Sequence, residues 1–218
     1  TEKLLCFSSD ALAELIDFSS RLTEDQTKLS LQFPLIRERM VEASSYAASR
    51  HQEKVTAALL RETVADREYR SNLYEHEFLT DYDRQIIKVS TQGEAIGQAN
   101  GLSVTCFGDY EFGLPHQIAC TVGVGHGGIL DFEREAELGG PIHTKAMMII
   151  KSYLLGLFAQ DKPLVLTGSL CFEQSYANIE GDSASGAELA ALLSALSETP
   201  IDLSYAFTGA ISQSGAVM

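Results

Sequence analysis

Ile179-Glu180-Gly181-Asp182-Ser183-Ala184-Ser185-Gly186-Ala187-Glu188 is the stretch on which the reading of this chain turns. Upstream, Leu164–Phe172 is apolar and β-branched, so a strand is expected to end near Glu173. Downstream, Ala187, Ala191, Leu192 and Leu196 recur at helical spacing and predict a helix over 184–196. Ser183 therefore falls at or just before a helix N-terminus. Unsatisfied N–H groups and the positive end of the helix dipole can stabilise a developing oxyanion there. A serine hydroxyl at such a place is a candidate nucleophile, provided that a base lies within hydrogen-bond reach. The same residues admit a purely structural reading. Asp182 and Ser183 are both good N-caps, and Ser185-x-x-Glu188 has the form of a capping box. From the residues alone, both readings stand.

Outward from this stretch the pattern alternates. Ile86–Ser90, Leu102–Phe107, Gln117–Val124 and Ser204–Ala210 read as strands, and so do the last few residues. Gly139-Gly140-Pro141 reads as a turn, and the apolar run His143–Phe158 is long enough for a buried helix. Strands with segregated helices predict an α+β domain. The N-terminal part differs, because the first glycine of the chain is Gly93. So long a stretch without glycine suits helices better than strands and tight turns. Ser8-Ser9-Asp10 offers an N-cap before Leu12, Leu15, Ile16 and Leu22. Pro34 suits a first helical turn before Leu35, Ile36, Met40, Ala43 and Ala47, and Thr56 suits the cap of a third helix. The expected division is a helical domain over 1–85 and an α+β domain over 86–218.

Composition narrows the function classes. Of the 218 residues, 45% are hydrophobic and 21% charged, a globular balance rather than a disordered one. Sixteen Lys and Arg against thirty Asp and Glu give a net charge of −14, which a nucleic-acid backbone would repel. Residues 91–218 carry most of this excess, with 4 basic and 14 acidic side chains. The longest apolar candidate for a membrane span, Ala146–Ala159, is interrupted by Lys151 and is shorter than the roughly 20 residues required. The first residues lack the basic and apolar regions of an export signal. Cys6, Cys106, Cys120 and Cys171 are scattered, as expected for reduced thiols in a cytoplasmic protein.

Other candidate chemistry is weaker. The glycine-rich run Thr121–Gly128 lacks the Lys-Ser/Thr of a P-loop and the spacing of a dinucleotide fingerprint, so a strand-end loop is expected. His51, His76, His116, His126 and His143 have no metal-ligand spacing. His143, at a predicted helix start, is the histidine to inspect first. The acidic run Asp131–Glu137, with its single Arg134, reads as a solvated face. A Ser-His-Asp esterase is disfavoured, because Gly181-Asp-Ser183-Ala-Ser185 fails the last glycine of the nucleophile elbow.

The run Ile-Glu-Gly-Asp-Ser-Ala-Ser, followed by Ala-Leu-Leu-Ser-Ala-Leu and Ala-Phe-Thr-Gly-Ala-Ile, resembles the proteolytic domain of Lon-type ATP-dependent proteases. It is similar to the branch with a Gly-Asp-Ser-Ala-Ser nucleophile motif, the B-type and Lon-related proteins. Gly97–Val104, Asp131–Glu135 and Gly140–Lys145 extend the likeness upstream, and the N-terminal helices resemble the lid of the AAA+ ATPase module.

The resemblance implies a serine–lysine dyad that cleaves unfolded or damaged proteins inside a hexameric ring in the cytoplasm. ATP and Mg would act in an ATPase half that this chain lacks, leaving no cofactor of its own. Ser183 is implied as the nucleophile, with Asp182, Glu180 and Thr208 as supporting residues. One departure matters. The family's lysine follows the serine by a few dozen residues, whereas the chain stops at Met218 and its last lysine is Lys162. The expectation is an interior segment, C-terminally incomplete in its proteolytic domain and inactive by itself. The alternative is a non-catalytic module for ring assembly or substrate holding. In the lid, Arg37 and Arg39 lie near the helix that brings an arginine to the nucleotide in such ATPases; the sequence does not choose between them, and both read as solvated.

Overall fold

The computed structural model describes residues 3–108, 110–126 and 128–218. They form two compact units, Thr1–Tyr74 and Glu75–Met218, in a mixed α+β architecture.

The first unit is built on three helices, α1 (Ser9–Arg21), α2 (Phe33–Ser49) and α3 (Ala57–Ser71), with two short parallel strands, β1 (Cys6–Phe7) and β2 (Lys54–Val55). Its core is Ala11, Leu15, Ala43, Ala47, Val55, Leu59 and Leu60. The alanines let helix backbones approach closely. Pro34 lies in the first turn of α2, and the Thr56 hydroxyl accepts from Leu59 N at 3.4 Å at the start of α3. Helix α1 begins where expected but is capped differently. The Ser8 hydroxyl donates to the Val55 carbonyl at 3.0 Å, and the Asp10 carboxylate accepts from Ala57 N at 3.3 Å. The buried stripe of α1 is Ala11, Leu15 and Ser19, while Leu12 and Ile16 are exposed. Arg39 is not simply solvated, since its guanidinium lies over the Phe18 ring at 4.6 Å.

Helix α4 (Leu73–Asp83) begins at the division between the units, so the second unit starts before the expected residue 86. From Glu75 onward this helix belongs with the sheet. The Tyr82 hydroxyl donates to the Pro115 carbonyl at 2.6 Å, the Tyr110 hydroxyl to Glu75 at 2.5 Å, and Phe78 lies against Phe112. The short strands β3 (Glu94–Ala95) and β8 (Ile201–Asp202) pair with each other. The main sheet comprises β4 (Gln98–Phe107), β5 (Tyr110–Gly123), β6 (Gly128–Asp131), β7 (Thr167–Phe172) and β9 (Ala206–Phe207), in the order β6-β7-β5-β4-β9. The central pairs β4–β5 and β5–β7 are antiparallel, and the outer pairs β6–β7 and β4–β9 are parallel. Three helices complete the unit: α5 (Phe132–Glu135), α6 (Pro141–Phe158) and α7 (Ser185–Ser197).

Helix α7 packs on β4 and β5 and meets α6. The core beneath them centres on Ile118, Met147, Ile150, Leu154, Leu170 and Leu192. Two expectations fail here, the second only in part. Ile86–Ser90 forms no strand, because its backbone is held by a side chain rather than a ladder: Gln174 donates to the Ile86 carbonyl and accepts from Lys88 N. The acidic run is a solvated face only in part: Arg134, Glu135 and Glu137 are exposed, but Asp131 and Glu133 are buried beneath the start of α6. The glycine run is a strand-end loop between β5 and β6, with Gly127 outside the described residues.

Candidate active site

Ser183 is exposed in a turn two residues before α7. That turn is held from one side by the segment leaving β9. Gly209 N donates to the Ser183 carbonyl at 2.7 Å, and Gly186 N donates to the Gly209 carbonyl at 3.0 Å. A methyl group on Gly186 would stand 2.9 Å from that carbonyl, so only glycine permits the approach without displacement. Beneath the turn, the buried Ser185 hydroxyl donates to the Asp182 carbonyl at 2.7 Å and accepts from Ile211 N at 2.9 Å.

This arrangement corrects the capping-box reading. The Ser185 hydroxyl serves Asp182 and Ile211, while Glu188 N donates to the Ala184 carbonyl. It also narrows the oxyanion reading. The N–H groups of Ser185 and Gly186 are engaged by Asp182 and Gly209, so neither is a vacant donor for substrate. What remains favourable at Ser183 is its exposure and the positive end of α7.

The other implied residues scatter around this turn. Asp182 is adjacent to Ser183 and, like it, exposed. Thr208 immediately precedes Gly209, so it belongs to the segment that holds the turn. Glu180 acts elsewhere, because its carboxylate accepts from Ile142 N at 3.0 Å in the first turn of α6, where a negative charge is favoured. Among the described residues no lysine or histidine is hydrogen-bonded to the Ser183 hydroxyl, and no group of three or more His, Cys, Asp or Glu is arranged to hold a metal ion.

The sequence missed a buried titratable cluster behind the turn. His143, Asp131 and Glu188 are each at most 1% exposed, and Glu133 is 3% exposed. His143 Nε2 lies 3.4 Å from Asp131, and Nδ1 lies 3.7 Å from Glu188. Neither Glu188 oxygen has a hydrogen-bond partner among the described residues, whereas Glu133 accepts from Phe172 N at 2.9 Å. Burial is the main cause that pushes the Glu188 carboxyl up to about 7; Asp131 and Glu133 add to it and His143 opposes it. For His143, burial is the largest influence and works downward, but Asp131, Glu188 and Glu133 together outweigh it and raise the imidazole above its usual value. Glu133 is raised too, chiefly by burial. The available signal was a lone carboxylate within the apolar repeat Ala187, Leu189, Ala191 and Leu192.

Residues 6–70 match the family model of the archaeal LonB AAA+ ATPase lid domain. A Lon protease homolog of Escherichia coli strain K12 is 37% identical over 209 residues, covering 95% of this chain. Over nearly its whole length the chain is similar to Lon-type proteases. A second Lon protease homolog, from Haemophilus influenzae, is 44% identical over 138 residues, or 60% of the chain. The archaeal Lon protease of Methanothermobacter thermautotrophicus is 28% identical over 219 residues, or 97% of the chain. These matches span 35%, 22% and 32% of the relatives' own lengths, so the chain corresponds to about a third or less of each Lon-type relative. No helix among the described residues is long and apolar enough to cross a membrane.

Proposed function

We propose that this chain carries the nucleophile of a Lon-type serine peptidase together with part of its ATPase lid. The observation that carries the reading is the Ser183 turn: an exposed hydroxyl at the start of α7, on a backbone held by Gly209 and Ile211. In this reading Ser183 Oγ attacks the scissile carbonyl carbon. Its proton passes to a neutral lysine amine, whose pKa is lowered by a desolvated pocket. Collapse of the tetrahedral intermediate breaks the C–N bond as the lysine returns the proton to the leaving amine. Water then hydrolyses the acyl-serine. Asp182 and Thr208 flank the site, and Glu180 supports it through α6.

Among the described residues no lysine is hydrogen-bonded to the Ser183 hydroxyl, and in this reading the 218 residues by themselves are inactive. Unfolded or damaged proteins are the substrates, delivered in a homohexameric cytoplasmic ring by an ATPase half that binds ATP and Mg. The test compares casein degradation by the protein extended past Met218 with that by its Ser183→Ala variant, with and without ATP. Cleavage by the first and none by the second is the expected result. Absence of cleavage from both would leave a non-catalytic ring-assembly or holding module.

A further inference from the structure

Three contacts converge on one short segment. On the N-terminal side of Ser183, Ile179 is paired with the chain entering α6: Ile179 N donates to the Leu138 carbonyl and Gly140 N to the Ile179 carbonyl, both at 2.8 Å. The next residue, Glu180, accepts from Ile142 N. A methyl group on Gly140 would stand 1.4 Å from the Glu180 carboxylate, so glycine at 140 is what admits that side chain. On the C-terminal side of Ser183, Glu188 faces His143. Ile142 and His143 are neighbours in the first turn of α6. The carboxylates five residues after and three residues before Ser183 thus end on adjacent residues of one helical turn.

We propose that the first turn of α6 positions the Ser183 turn through two arms, Glu180 on Ile142 and Glu188 on His143, and that protonation of His143 sets the strength of the second arm. The two arms differ in kind. Glu180 is bonded to a backbone N–H, so its arm does not depend on the state of any other side chain. Glu188 is completely buried, and neither of its oxygens has a hydrogen-bond partner among the described residues; the His143 ring nitrogen at 3.7 Å is within ion-pair distance. Once ionised, Glu188 has a stable partner only while His143 is an imidazolium, because an unpaired buried charge is costly. The groups facing His143 come from every neighbouring element: Asp131 at the end of β6, Glu133 on α5 and Glu188 on α7. Phe172 of β7 presents its ring at 6.0 Å, and Cys171 of the same strand lies against Glu133. Loss of the His143 proton leaves carboxylates facing one another with no cation between them. Relief requires Glu188 to hold a proton or α7 to shift, and the first turn of α7 is continuous with Ser183. In this scheme His143, Glu180 and Glu188 are positioning residues.

The proposal rests on Ser183 being the nucleophile only for its catalytic consequence, and its test reads the turn instead of turnover. In the isotope-labelled 218-residue protein, the His143 ring and the amides of Gly181, Asp182, Ser183, Ser185, Gly186 and Gly209 are followed by NMR from about pH 5 to about pH 8.5. The turn amides are expected to titrate with the His143 midpoint. In Glu188→Gln that midpoint falls, because one carboxylate is gone; the amide that replaces it still pairs with the His143 ring, so the turn amides follow to the same lower pH. In His143→Gln the inflection disappears while the resonances of β4 and β5 stay in place. Gly140→Ala displaces the first arm, so the turn amides move at every pH but keep their inflection at His143. Turn amides that stay flat while His143 titrates overturn the proposal, as does an inflection that Glu188→Gln leaves unmoved. If either cluster variant unfolds, the wild-type comparison of midpoints decides alone. Ser183 proving inert in the casein assay would remove the catalytic consequence and leave this result standing.

Discussion

Replacing Glu188 by Gln should make the second unit less sensitive to alkali. In the folded protein the Glu188 carboxyl holds its proton to about pH 7, against an ordinary value of 4.5. Below about pH 4.5 both the folded and unfolded states are protonated, and the group contributes no difference. Between that value and about pH 7 the unfolded chain has released its proton and the folded chain has not, so stability falls as pH rises. The separation corresponds to about 3 kcal/mol once both states are ionised. His143 acts in the same direction: its raised value means stabilisation that is present below its unfolded pKa and lost as pH rises through the folded one. The variant removes the carboxylate contribution and retains a weakened histidine contribution from Asp131 and Glu133. Urea unfolding, read from NMR peak intensities of β5 and β7 so that this unit is followed separately, should show wild type losing about 3 kcal/mol more than Glu188→Gln between about pH 5 and about pH 8. Equal losses in the two proteins would refute the reasoning, and so would a wild type that gains stability over this range.

Other consequences are independent of that cluster. Ser185→Ala removes a buried hydroxyl that joins Asp182 to Ile211, and denaturant melts should show a loss of about 1–3 kcal/mol, because Ile211 N is left unsatisfied. Gly186→Ala forces a methyl group to within 2.9 Å of the Gly209 carbonyl; a shift of the Ser183 and Gly209 amides without loss of the sheet resonances is the expected spectrum. Thr56→Ala should cost the first unit about 1 kcal/mol in thermal or urea unfolding, through loss of the α3 cap. Burial pushes the Cys120 thiol up to about 11, so in the folded protein at neutral pH a thiol reagent should modify exposed Cys6 far faster than Cys120.

Much of the fold was legible because strong periodicity and strong punctuation coincide. Helix α7 occupies 185–197 against an expected 184–196, and α6 begins two residues before the expected 143. Both are apolar runs bounded by glycine or proline. The short strands were not legible. Ile86–Ser90 has the composition of a strand but spends its backbone bonds on Gln174, a choice that local sequence does not record. Site legibility divides in the same way. The exposed serine before a helix followed from local pattern, whereas the ties to Gly209 and Ile211 depend on where β9 falls. The acidic residues misled for a physical reason. A charge run is ordinarily solvated, yet every second residue of Asp131-Phe132-Glu133 turns inward, leaving Phe132 exposed and both carboxylates buried. His143 was marked by its position at a helix start, but its partners lie on three elements separated in sequence.

The buried cluster is hard to explain as a stability device. Glu188 stands among Ala187, Leu189, Ala191 and Leu192 on a helix packed against the sheet, where an apolar side chain would bring no desolvation cost. Replacing buried ionic groups by well-packed apolar ones is often neutral or stabilising. Local rules of this kind are broken mostly where a site demands it. Glu188→Met therefore separates the two explanations. If the carboxylate serves only packing, the variant keeps the pH response of the Ser183 turn and merely changes the unfolding free energy. If the carboxylate is an arm between α6 and α7, the variant unfolds at higher urea at about pH 8, while the turn amides no longer follow His143. Greater stability joined to lost coupling is the outcome that a positioning role requires.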